Sequence, residues 1–250
     1  MDILAIGNSF SQDATRYLHD MLADVGIPSR VVNLYIGGCS LQRHYANMQS
    51  DAQDYSYELN GAATGKFIGL YAALTERNWD VITFQQASHD SGIADSYYPY
   101  LPELLAYARS LCPDARYMLH QTWAYEIDST HEAFARYGRS QARMYAQLCD
   151  AYSAAAKRTG LELIRSGDAV QALRREPEFD YAAGGRSLCR DGFHMDLIYG
   201  RYLLGAVWFE ALSGRKVTEC GFVPTGSDAG EPVDSKLIYM IRAFVAKLFN

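Results

Sequence analysis

A three-layer α/β/α sandwich is the fold class this sequence predicts, and three observations predict it. Short apolar runs alternate with longer amphipathic segments along the chain, the pattern of a parallel sheet covered by helices on both faces. The helical segments carry their apolar residues on one stripe, as Leu18, Met21, Leu22 and Val25 do. A chain of 250 residues, 49% hydrophobic and 21% charged, is long enough to bury one substantial core, so a single domain over residues 1–250 is expected.

Taken in order, strands are expected at residues 2–6, 30–34, 81–84, 116–119 and 161–164, giving a five-stranded parallel sheet. Helices are expected over residues 15–25, 97–111 and 132–158 between them. Pro99 and Pro102 fall near the start of the second, where a missing N–H does little harm. Gly160 closes the third as a glycine just past a helix end does. Two further helices are expected over residues 195–212 and 233–248, separated by a Gly- and Pro-containing loop.

Composition removes several function classes. A net charge of −6 and a pI near 5.5 supply no field for a phosphate backbone, and no run of Lys or Arg exceeds a pair, so nucleic acid is not an expected partner. The five cysteines are scattered without C-x-x-C spacing and read as reduced structural thiols. The histidines show no H-x-x-x-H spacing, so no metal is expected. Gly184-Gly185-Arg186 lacks the rest of a phosphate loop, and no cofactor is expected. The apolar stretches near the C-terminus are interrupted by Glu210, Arg242 and Lys247, too soon for a membrane span. No signal segment is visible at Met1, and the compartment at face value is cytoplasmic.

Ligands of open α/β sheets collect outside the carboxyl ends of the strands. The first such loop is Gly7-Asn8-Ser9-Phe10-Ser11, where a glycine permits a tight turn and Ser9 is delivered to the start of a helix. A serine hydroxyl needs an adjacent base to become a nucleophile, and free N–H groups at a helix start can stabilise an oxyanion. Alone, Ser9 or Ser11 reads more readily as a helix cap. A second element changes the weighing. In Asp191-Gly192-Phe193-His194 the acid and the imidazole stand three residues apart, a spacing at which the carboxylate can fix the ring tautomer.

These blocks resemble the SGNH or GDSL-like hydrolases, over nearly the whole chain. Gly7-Asn8-Ser9 matches their G-D-S block with Asn8 in place of the acid, similar to a divergent branch of that superfamily, and Asp191 to His194 matches their D-x-x-H block. The resemblance implies a flavodoxin-like sheet and a triad of Ser9, His194 and Asp191. It implies an oxyanion hole from the backbone N–H groups of Ser9 and Gly38, the latter in Gly37-Gly38-Cys39-Ser40. The third block, G-x-N-D in the family, reads Phe84-Gln85-Gln86-Ala87-Ser88-His89-Asp90 here. A glutamine amide offers the same N–H₂ one methylene further out, so Gln85 is the expected third donor, with Gln86 the alternative. Trp123, in an aromatic loop after the fourth strand, is the expected substrate contact. The implied reaction is hydrolysis of a small-molecule or carbohydrate ester through an acyl-serine. An acyltransferase with the same triad and a non-catalytic sugar-binding protein are the rivals.

Overall fold

In the computed structural model, which describes residues 1–227 and 229–248, the apolar runs become strands of one sheet. Asp228, Phe249 and Asn250, part of the expected domain, lie outside the described residues. The elements are β1 (Asp2–Gly7), α1 (Ser9–Thr15), α2 (Leu18–Asp24), β2 (Arg30–Tyr35), α3 (Leu41–Ser50), β3 (Tyr55–Leu59), β4 (Ala62–Ile68) and α4 (Leu70–Thr75). There follow β5 (Val81–Phe84), α5 (Tyr100–Leu111), β6 (Arg116–His120), α6 (Gln141–Thr159), β7 (Glu162–Ile164), α7 (Ser166–Leu173), α8 (Tyr199–Ser213) and α9 (Ser235–Leu248).

Among the described residues the sheet has seven strands in the order β4-β3-β2-β1-β5-β6-β7, not the five expected. The run from β2 to β7 is parallel, while β3 and β4 add an antiparallel hairpin at the β2 edge. The expectation missed that hairpin because β4 is exposed along almost its whole length and carries no alternating apolar face. The legible signal was the turn. Asn60-Gly61 joins the two strands with φ of 51° and 79°, the left-handed pair that a two-residue hairpin requires.

The first expected helix, over residues 15–25, is α2, and a separate short helix precedes it. Helix α1 begins at Ser9 itself, and the chain breaks at Arg16 and Tyr17 before α2. The third loses its first turns: a 3₁₀ segment at Glu132–Tyr137 ends at Gly138, and α6 starts only after Ser140, whose hydroxyl caps Arg143 N–H. Helices α3, α4 and α7 were not anticipated. Helix α8 is buried nearly all round, packed against α1, α2, α7 and α9. Such a helix shows no amphipathic stripe, because every face meets protein.

Strand β1 lies centrally, with β2 on one side and β5 on the other, so the chain order reverses across it. That is where loops after strands diverge and leave a crevice. The carboxyl ends of β1, β2 and β5 there carry Ser9, Gly38 and Gln85.

Two imidazoles are sealed in the core. His44 and His120 are fully buried, and desolvation pushes both down to about 3. An unfolded histidine titrates near 6.5, so between about pH 3 and 6.5 the unfolded chain binds protons that the fold refuses. Stability therefore falls as pH falls through that window, by roughly 2 kcal/mol per histidine at pH 5. Urea unfolding at pH 7.5 and pH 5 measures it; equal midpoints would contradict it.

Candidate active site

The Ser9 turn is built by contacts that leave its backbone little freedom. A side chain at Gly7 would come within 2.3 Å of Ser11 Oγ and 3.0 Å of Gln85, so only glycine fits there. Asn8 is the N-cap of α1 and accepts Phe10 N–H at 3.0 Å on its Oδ1. Its Nδ2 donates to the Cys39 carbonyl at 3.0 Å, which ties the Ser9 turn to the Gly37-Gly38-Cys39 loop. Gly38 sits at φ 61° in that loop, a conformation that side chains disfavour.

His194 Nε2 lies 2.8 Å from Ser9 Oγ, and His194 Nδ1 lies 2.7 Å from Asp191 Oδ2. A carboxylate only accepts, so Nδ1 carries the proton and Nε2 is left to receive the serine O–H. Asp191 Oδ1 takes the N–H groups of Phe193 and His194 at 3.2 and 2.8 Å. Partial burial pushes the Asp191 carboxyl up, but the hydrogen bonds from the His194 ring and from both N–H groups outweigh it. The net result is a pKa below the ordinary carboxylate value. Gly192, at φ 84°, lets this turn press against Ser129, where a side chain would meet Ser129 Cα at 2.9 Å.

The fold thus brings Ser9, His194, Asp191 and Gly38 to one place, and it puts three other expected contributors elsewhere. Gln85 does not line the cleft. Its Nε2 donates to Asn8 Oδ1 at 2.7 Å and its Oε1 faces His120 Nδ1 at 2.8 Å. Asn8 Oδ1 already accepts a backbone N–H, so the Gln85 end facing it is the amide nitrogen. The other end is then the oxygen, so His120 donates from Nδ1 and receives Ser166 Oγ–H on Nε2 at 3.1 Å. Gln85 therefore braces Asn8, and its expected place in the oxyanion hole is corrected. Gln86 is engaged as fully, accepting Leu41 N–H and donating to Ser96. Trp123 is 0% exposed, so it is no substrate contact. It stacks on Phe10 at 4.0 Å and donates to the Phe193 carbonyl at 2.8 Å, a strut beneath the His194 turn.

One residue that sequence reasoning missed is Asp13, on α1 one turn beyond Ser9 and 0% exposed. Its two oxygens each lie 3.0 Å from Arg190 Nη1, and they also take Arg201 Nε at 2.8 Å and Met195 N–H at 3.0 Å. Arg190 precedes Asp191 and Met195 follows His194. One carboxylate on the helix that begins at Ser9 therefore grips the Asp191 to His194 turn on both flanks.

A cleft of about 270 Å³ opens over Ser9. Ser9, Gly38 and Tyr35 line it, and Ser88, His89, His131, Phe193 and His194 complete its wall. A larger hollow of about 440 Å³, between Leu163 and Leu248, is remote from this chemistry, and its Lys216 and Arg215 are paired with Glu210 and Glu219. Among the described residues no group of three His, Cys, Asp or Glu side chains could hold a metal ion, and no helix is long and apolar enough to cross a membrane.

Solved structures described as SGNH or GDSL-like hydrolases share the fold of this chain. A protein of Slackia heliotrinireducens described as a candidate SGNH hydrolase matches with a TM-score of 0.56 at 23% identity, over 84% of this chain and 97% of its own. The acetyl xylan esterase AlAXEase matches with a TM-score of 0.56 at 16% identity, over 85% and 100%. At such identities the likeness is one of fold. The chain itself belongs to the DUF4886 family, a domain of unknown function whose pattern spans residues 2–236. A DUF4886 protein of Bacteroides uniformis ATCC 8492 shares 38% identity and a TM-score of 0.90, covering 100% of this chain and 95% of that one. No curated protein matches.

Proposed function

We propose that this protein is a serine carboxyl-ester hydrolase that removes small acyl groups, acetyl foremost, from a carbohydrate. The observation that carries the reading is the unbroken chain from Ser9 Oγ through His194 to Asp191, at 2.8 and 2.7 Å. Ser9 Oγ attacks the ester carbonyl while His194 takes its proton, and Asp191 stabilises the imidazolium that results. Backbone N–H groups of Ser9 and Gly38 stabilise the tetrahedral oxyanion. Collapse breaks the bond to the alcohol, which leaves with the proton from His194. Water, deprotonated by His194, then releases the acid from the acyl-serine. The Gly7-Asn8-Ser9 block is read as the mark of a divergent branch, in which an amide replaces the usual acid to hold the Gly38 loop.

The small cleft favours a short acyl chain. A carbohydrate alcohol is supported by the polar rim of Ser88, His89 and His131, and by the acetyl xylan esterase among proteins of like fold. Hydrolysis of p-nitrophenyl acetate, butyrate and octanoate tests the reading: rates fall as the chain lengthens, whereas a preference for octanoate contradicts it.

A further inference from the structure

The leaving alcohol has one fixed position in any acyl transfer through this triad. Its oxygen must come within reach of His194 Nε2, which returns the proton to it. The alcohol half of the substrate therefore lies on the His194 side of Ser9, and the acyl oxygen lies on the Gly38 side. The wall on the His194 side is a run of rings. Phe193 lies against His194 with centroids 4.1 Å apart, and His131 meets Phe193 edge-on at 4.7 Å. Tyr125 backs His131 at 4.8 Å.

His131 is set in this wall with its chemistry decided. Its Nδ1 accepts Ala133 N–H at 3.1 Å, so the ring's own proton sits on Nε2. Among the described residues Nε2 has no partner, although the ring lines the cleft. Desolvation, with the nearby imidazoles of His89 and His194, pushes His131 below its ordinary value, which favours the neutral ring. The ring that lines the cleft carries one N–H donor on Nε2 and is held by two aromatic rings and a backbone cap.

We propose that His131 is the specificity-determining residue for the alcohol half of the ester, donating its Nε2–H to an oxygen next to the scissile bond. The inference rests on the esterase reading above and narrows it. The preferred alcohol carries an acceptor oxygen beside the esterified one, as a sugar does and a simple cyclic alcohol does not.

The test compares a mono-O-acetylated methyl glycoside with cyclohexyl acetate, similar in ring size but lacking the neighbouring oxygens. Two variants are needed because His131 also caps Ala133. His131→Phe keeps an aromatic ring between Phe193 and Tyr125, and His131→Asn keeps the cap without reaching the cleft. Losing one neutral hydrogen bond to substrate corresponds to about a threefold to tenfold loss, and in both variants the ratio of kcat/KM on the glycoside to kcat/KM on cyclohexyl acetate is expected to fall by that factor. An unchanged rate on the glycoside overturns the proposal, and so does an equal loss on both esters, which marks a structural role. Ser9→Ala is measured beside them. If it hydrolyses both esters as wild type does, the esterase reading itself falls, a result distinct from either failure of His131.

Discussion

Replacing Ser9 with alanine lowers kcat/KM for p-nitrophenyl acetate by at least about 10³-fold and leaves the unfolding midpoint nearly unchanged. The two halves of that expectation have separate causes. Activity is lost because Ser9 supplies the hydroxyl that stands 2.8 Å from His194 Nε2, with no second one there among the described residues. Stability is kept because the cap of α1 is Asn8, not Ser9, and the Ser9 side chain is only partly buried, so its removal leaves neither a cavity nor an orphaned backbone group. Residual turnover is the work of the oxyanion donors and substrate binding, which do not depend on the hydroxyl. His194→Ala gives a similar loss without adding to it in the double variant, because the two act as one unit. Equal activity of wild type and Ser9→Ala would remove the nucleophile from the account.

Asp13→Ala has the second largest effect, and it falls on stability and rate together. The substitution leaves the guanidinium groups of Arg190 and Arg201 without their carboxylate, and Met195 N–H without its acceptor. Breaking a fully buried pair costs about 3–5 kcal/mol; Arg190 keeps 28% of its side chain in water and recovers part of that, so about 2–3 kcal/mol is expected. The rate falls because the grip on both ends of the Asp191 to His194 turn is gone, and a displacement near 1 Å at a reacting group costs up to about 10²-fold. Asp13→Asn, which can still accept one N–H, should recover more stability than rate. Urea unfolding and kcat on p-nitrophenyl acetate measure the two effects. If the rate is unchanged in a folded Asp13→Ala protein, the clamp plays no part in positioning His194.

Sequence was most informative where a function is carried by neighbours in the chain. Ser9 follows a glycine turn, and Asp191 and His194 share one turn, so the three residues that meet at 2.8 and 2.7 Å could be named before their distances were known. Gly38 was expected from the likeness of Gly37-Gly38-Cys39-Ser40 to a family block, and it lines the cleft beside Ser9. Gln85 was misjudged because its amide is used up by Asn8 and His120, partners 77 and 35 residues away that only the sheet brings together. Trp123 was misjudged because an aromatic loop after a strand reads the same whether it lines a cleft or supports it. Asp13 and Arg190 stand 177 positions apart, and an acid in the first helix reads as ordinary surface until the fold encloses it. His131 was set aside with the scattered histidines, since spacing rules find metal sites and say nothing of a single donor in a wall. For the fold, the parallel strands announced themselves by apolar runs, while the β3–β4 hairpin had only Asn60-Gly61 to reveal it.

Trapping the acyl-enzyme tests the central claim most directly. Wild type is mixed with excess p-nitrophenyl acetate and quenched in acid within the first turnovers, then digested and read by peptide mass spectrometry. The account predicts one acetyl group, on the peptide that contains Ser9, present in wild type and missing from Ser9→Ala. An acetyl group found on any other residue, or full turnover with Ser9 never acetylated even when His194→Ala slows deacylation, would contradict it.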